Sequence, residues 1–314
     1  MDIWIIENKN FIQNTNTVSP LKIVGTLYRW FTMNQKFFKV IVHNEESTLS
    51  LLGICAGFEN GEWRCKRLVE NLFNCVPEFC LSYSEIHEIE STEWMDKMRK
   101  AAAMIYNSPK YMNRGEFGEL LLHYILKDLY KTIPAISKMY FKDGPNETVK
   151  GFDAVHVIEN DEGLLDLWLG EVKFYKDARK AVTDVIPEIK EHFAHDYLRT
   201  EFIAITNKLD KESPFYDKLS QLISPDTSLD EIFERICVPV LITFNSNIID
   251  KHSKYTDIYK EEMKTEMEKY FKQFEALFEK LRIDIEVHLF LLPLKTKETF
   301  IQMLNEKLKL WQQL

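Results

Sequence analysis

The chain has 314 residues, of which 45% are hydrophobic and 28% charged, and its net charge is -9. That composition fits a folded soluble protein large enough for one big domain or two ordinary ones. The acidity argues against broad, unaided binding of nucleic acid, which requires a basic face; any polyanion contact is confined to a local patch or assisted by a more basic second subunit.

The N-terminus, MDIWIIENKN, is acidic with a short apolar run, unlike a secretion signal. The most apolar late stretch, IDIEVHLFLLPL at 283–294, is too short and too charged to cross a bilayer. The five cysteines, at 55, 65, 75, 80 and 237, contain no CxxC pair, so neither a zinc ribbon nor a redox dithiol is expected. A cytoplasmic protein with its thiols as small core hydrophobes is the expectation.

Residues 1–92 read as an N-terminal α+β region, with strand-like runs KFFKVIVH and LSLLGICAGF and a turn at Glu59-Asn60-Gly61. Its separation from the candidate site suggests partner docking. From 93 to 314 the pattern becomes α/β. A helix is predicted over 93–106, broken by Asn107-Ser108-Pro109, and a longer amphipathic one over 111–131. In that second helix Phe117, Leu120, Leu121 and Tyr124 form the apolar stripe, and Glu116, Glu119, His123 and Lys127 the polar one. Strands follow at 149–158 and 164–175, separated by the turn residues Asn160-Asp161-Glu162-Gly163. A helical segment over 177–198 is expected to bend or break near Pro187. FIAIT at 202–206 and PVLITF at 239–244 read as buried strands. A strong helix at 257–282, a strand EVHLFLLPL and a last helix at 296–313 close the chain. The order describes an α/β core with a mixed sheet flanked by helices.

The strand LWLGEVKF carries two charges in an apolar run. Side chains alternate along a strand, so Leu167, Leu169, Glu171 and Lys173 share one face. A hairpin centred on Glu162 sets Val157 opposite Leu167, Val155 opposite Leu169 and Asp153 opposite Glu171. Directly opposed residues point the same way. Two carboxylates and a lysine then converge, an arrangement that demands a counter-charge. Hard oxygen donors suit Mg²⁺ or Mn²⁺. A bound divalent ion makes a nucleophile of water, and a lysine beside it orients that water or stabilises developing charge. The bland alternative is a strand-borne surface ion pair.

Glu116 and Glu119 would add a third carboxylate, with His123 as a helper or a satisfied polar contact rather than a ligand; equally, acids in a first helical turn simply complement the macrodipole. Lys176, Arg179 and Lys180 are candidates for phosphate contacts, or else a solvated first turn. His192 and His195, with Glu188 or Asp196, form a weaker metal-type constellation, more in keeping with a solvated helix face. HEIES at 87–91 lacks the second histidine of a zinc protease motif, and no GxxxxGK loop is present to bind ATP.

RGEFGE, then GFD, then GEVK resembles the PD-(D/E)xK nuclease superfamily. RGEFGELLLH…KGFDAVHV…LWLGEVKFYKDA is similar, more narrowly, to HamA, the nuclease subunit family of Hachiman anti-phage defence. The resemblance is specific over about 110–180. It implies a restriction-endonuclease-like core, Asp153 and Glu171 as ligands of Mg²⁺ or Mn²⁺, and Lys173 as catalytic lysine. In related resolvase-type nucleases the helix acid comes four residues after an Arg-Gly glycine, which selects Glu119 over Glu116. Phe152 stands where many members have a proline. The family also implies a helicase-type ATPase partner (HamB-like) that restrains a DNA endonuclease until damaged or invading DNA is sensed. Two rival readings use the same residues: an inactive nuclease-fold adaptor that regulates the helicase, and a nuclease acting on RNA.

Overall fold

The computed structural model of the chain describes residues 37–45, 48–87, 93–105, 115–137, 139 and 151–313. Residues Phe37–Leu314 form one compact unit. Residues 1–36 of the proposed docking region, the break at Asn107-Ser108-Pro109, Arg114 and the start of the strand at 149–150 lie outside the described residues.

The strands are β1 (Lys39–Glu45), β2 (Leu49–Cys55), the small hairpin β3 (Phe58–Glu59) and β4 (Glu62–Trp63), β5 (Ile133–Pro134), β6 (Ala154–Glu159), β7 (Leu165–Phe174), β8 (Ile236–Asn245) and β9 (Glu286–Leu294). The helices are α1 (Cys65–Asn74), α2 (Val76–Cys80), α3 (Tyr83–His87), α4 (Trp94–Met104), α5 (Glu116–Tyr130), α6 (Ala178–His192), α7 (His195–Lys208), α8 (Tyr216–Leu222), α9 (Leu229–Phe233), α10 (Asn247–Lys251), α11 (Asp257–Phe278) and α12 (Lys297–Gln312).

Seven strands make one mixed sheet in the order β1-β2-β9-β8-β7-β6-β5. β7, β8, β9 and β2 run parallel to their neighbours, and β1 and the β5–β6 pair extend the edges antiparallel. β1 and β2, before residue 93, therefore continue the same sheet as the strands after it, while β3 and β4 pair only with each other. β8 and β9 read as unbroken apolar runs because parallel central strands are covered on both faces.

α6 and α11 cover one face. Gly53 on β2 comes so close to Met267 of α11 that a Cβ there would lie 2.4 Å from its sulfur. The register carries this face across the sheet from Gly53 through Leu291 and Ile242 to Lys173, and from Leu51 through Leu289 and Val240 to Glu171. α5 and α12 cover the other face: α5 at Gly118 packs on Val172 and Phe174, and Phe300 of α12 meets Phe174. All five cysteines are free and buried, as core hydrophobes.

Two sequence expectations change. FIAIT is not a strand but part of α7, with Leu198, Phe202 and Ile205 turned inward and Ile203 exposed. A five-residue apolar run does not distinguish strand from helix; the i, i+3, i+4 spacing of the buried residues does. Pro187 does not break its helix, which runs through it from Ala178 to His192.

A hairpin strand end that gathers acids and a lysine

The β6–β7 turn is built by Asn160, whose side-chain oxygen accepts from the Glu162 and Leu164 amides, while Gly163 supplies the positive φ of 74°. It sets Val155 opposite Leu169 and Val157 opposite Leu167. β7 outruns its partner: β6 begins at Ala154, opposite Gly170, so residues beyond 170 lack a β6 strand beside them. Asp153 fills the gap. Its amide donates to the Gly170 carbonyl at 2.8 Å, and its carboxylate accepts the Val172 amide at 2.8 Å.

Glu171 and Lys173 leave β7 on the α6 face and are both buried. The C-terminal half of α6 meets them with two side chains one helical turn apart. Lys173 Nζ pairs with Glu188, and His192 Nδ1 pairs with the Glu171 carboxylate. The His192 ring is held flat against Tyr197, with centroids 4.5 Å apart and planes at 17°, and edge-on to Phe152 at 5.4 Å. Glu188 is 40% exposed, so the cluster opens to solvent along α6.

Burial pushes the Glu171 carboxyl up to about 7; the His192 hydrogen bond opposes this and the Asp153 charge adds to it. For His192 burial works against the charge, but its bond to Glu171 and the acids around it outweigh that and raise it. Three carboxylates (Asp153, Glu171, Glu188) thus surround one ammonium and one imidazole. Crowding of this kind is relieved by a cation.

The other candidates are placed differently. Gly170 and Gly118 let α5 lie tight against β7: a Cβ on Gly170 would come within 2.6 Å of Leu122, and one on Gly118 within 2.9 Å of both Val172 and Phe174. α5 therefore packs on the strand face opposite Glu171 and Lys173. Glu116 and Glu119 lie in its first turn, with Glu119 Oε1 3.8 Å from the Cβ position of Gly115. His123 is not on a polar stripe. It is buried, shares a hydrogen bond with His156 at 3.1 Å and sits edge-on to Phe79, while His156 reaches Thr132 at 2.8 Å. Burial and the neighbouring His156 lower His123, so it is a neutral core residue across the sheet from Glu171. Lys176 pairs with Glu298 and Lys180 with Asp184, both at the surface. Asp177 caps α6 by accepting from the Arg179 and Lys180 amides.

The His192, His195, Glu188 and Asp196 constellation divides in two. Glu188 and His192 are the useful pair, at i, i+4, whereas His195 lies near Phe233. The signal was their spacing on the one helix that follows the GEVK strand.

Two cavities flank this region. A water-sized one of about 30 Å³ touches Phe152 and Asp153 and reaches Glu201 and Lys208. A groove of about 760 Å³ runs along β5 between α3 and the residues after α7, and its lining includes neither Asp153, Glu171 nor Lys173. The Asp153–Glu171–Lys173 cluster therefore lies at the open strand end and outside the larger groove.

A family model described as HamA matches residues 32–308. The chain belongs to the HamA family. It is accordingly a component of Hachiman anti-phage defence, a system with partner components. The HamA match spans the whole sheet, including β1 and β2, as well as the Asp153–His192 cluster. No curated protein matches the chain. Among the described residues no helix is long and apolar enough to cross a membrane.

Proposed function

We propose that this HamA-family chain is the nuclease subunit of its defence complex: a metal-dependent DNA endonuclease that works with a helicase-type ATPase. The observation that carries the reading is the meeting of Asp153, Glu171 and Lys173 at one strand end, where acids outnumber cations and burial raises Glu171. The donor set fits a hard divalent ion. Asp153 and Glu171 would hold Mg²⁺ or Mn²⁺, with Glu119 as the third acid that the family resemblance suggests. Such an ion activates water and neutralises charge on a phosphodiester.

The chain's own residues do the rest. Lys173, held by Glu188, orients the attacking water and then meets the phosphoryl charge. His192 keeps Glu171 turned toward Asp153. Lys176, Arg179 and Lys180, at the start of α6, meet flanking phosphates by exchanging Glu298 and Asp184 for DNA. The overall charge of -9 leaves most of the grip on DNA to the partner.

The test uses the full chain with its helicase-type partner, Mg²⁺ and plasmid. Wild type nicks or degrades the DNA, and Glu171→Ala and Lys173→Ala each lower the rate by at least about a hundredfold. Equal cleavage by wild type and both variants removes the catalytic assignment. Absence of cleavage by every form favours the adaptor, and cleavage of RNA alone changes the substrate but not the site.

A further inference from the structure

A second cluster lies on the opposite face of the sheet, at the other end of the strands. β8 and β9 run in parallel with Cys237 directly across from Glu286, and His288 follows two residues on along the same face. One donor atom from each of Cys237, Glu286 and His288 lies within 4.8 Å of the others, the one such trio among the described residues. We propose that these three side chains form a metal site, distinct from the Asp153–Glu171 cluster, that takes Zn²⁺ and ties the central strands β8 and β9 together.

The ligand chemistry selects the ion. A thiolate, an imidazole and a carboxylate suit zinc, whereas Mg²⁺ and Ca²⁺ want oxygen alone. The imidazole is oriented for the task. Ser50 Oγ lies 2.7 Å from His288 Nδ1 and holds the ring, with Nε2 facing Glu286 at 2.8 Å. A metal-bound histidine is ordinarily anchored in this way through its other nitrogen. Trp168 stacks on the ring at 5.4 Å and 24°, and Tyr130 stands edge-on at 6.0 Å.

The surroundings are acidic. Glu45 and Asp166 both feel the charge of Glu286, and Arg235, 2.8 Å from Asp166, is the one permanent cation paired within the group. A water can complete a tetrahedron. On binding, zinc replaces the proton that Glu286 and His288 share, and the Cys237 thiol gives its proton to solvent as the Zn–S bond forms. Ligands of tetrahedral zinc lie roughly 3.3–3.8 Å apart, so the 2.8 Å Glu286–His288 pair opens slightly to admit the ion. Cys237 belongs to β8 and Glu286 and His288 to β9, so the ion would tie two neighbouring strands, and the Ser50 hydrogen bond links them to β2.

The test is metal content and a cobalt spectrum, neither of which depends on cleavage. Untagged full chain, purified with its partner and dialysed, is expected to carry about one zinc by mass spectrometry. Replacing it with Co²⁺ is expected to give a sulfur-to-cobalt charge-transfer band. Cys237→Ser and His288→Gln lose the zinc and the band; Glu171→Ala and Cys65→Ser keep both. If the first two variants do not fold, Glu286→Gln, whose side chain is one-third exposed, is expected to weaken Co²⁺ binding at least roughly tenfold. Intact chain with neither zinc nor a cobalt band overturns the proposal. So does a band that survives Cys237→Ser, or Co²⁺ binding unchanged in Glu286→Gln.

Discussion

The β6–β7 hairpin hides polar groups on both of its faces, and the two solutions differ. On the α5 side, His123, His156 and Thr132 form a hydrogen-bonded chain, and burial drives both imidazoles toward neutrality, His156 to about 3. On the α6 side, His192 is raised by the acids it faces, and Glu171 is raised toward neutral pH with Asp153 beside it. Burial penalises charge equally on either side. What separates them is compensation: the first cluster gives up its charge and becomes core, while the second keeps an excess of acid and stays fit to receive a cation.

Replacing one histidine from each cluster should separate structure from chemistry most sharply. Under the nuclease reading, His192→Gln frees Glu171 from its partner. The Mg²⁺ concentration for half-maximal cleavage should then rise about 10–100-fold, the usual effect of removing an outer-shell support. His123→Gln should cost about 1–3 kcal/mol of folding stability, through a disturbed buried hydrogen bond, yet leave the rate per folded molecule and its Mg²⁺ dependence unchanged. A loss of rate in His123→Gln as large as that in His192→Gln would erase the distinction between the faces.

The contrast also marks what the sequence can reveal. The pairing of Val155 with Leu169 was legible because turn chemistry at Asn160–Gly163 and period-two alternation agree on one register. The Asp153–Glu171–Lys173 convergence follows from that register alone. The role of His123 was only half legible: helical spacing puts it on a stripe with Glu119 and Lys127, but α5 is covered on nearly all sides, and its partner on β6, His156, shows why a histidine belongs there. Glu188 and His192 were visible as a spacing but not as site members, because that depends on α6 folding back over β7. FIAIT misled because its apolar residues are contiguous, while burial in α7 selects only Phe202 and Ile205. The Cys237–Glu286–His288 trio needed the β8–β9 register, which no local signal supplies.

Acid–base linkage gives a smaller but cleaner comparison in the metal-free chain. Glu171 holds its proton more tightly folded, at about 7, than at the ordinary value of 4.5. Its contribution to stability is therefore full below about pH 4.5 and is lost as pH rises through 7. His192, raised above 6.5, has the same sign. Wild type in EDTA should thus lose stability between pH 5 and 8 relative to Glu171→Gln, which cannot ionise. Saturating Mg²⁺ should flatten the difference, since the ion favours the carboxylate. Urea midpoints across that range give the answer, and parallel pH profiles for the two proteins would contradict the burial of a titrating acid at this position.

The smallest expected effect is Gly118→Ala, which links the two faces. Its new methyl would lie 2.9 Å from Val172 Cγ1 and from Phe174 Cβ, closer than side chains approach. In a free helix the exchange would gain about 1 kcal/mol. Overpacking against a strand costs about 1–3 kcal/mol, so a net loss near 1 kcal/mol is expected. The strain falls on Val172, whose amide holds Asp153. Cleavage should therefore decline along with stability, though less than in His192→Gln. A variant as stable as wild type would mean that α5 can lift from β7, and that the α5 face does not constrain the strand end carrying the acids.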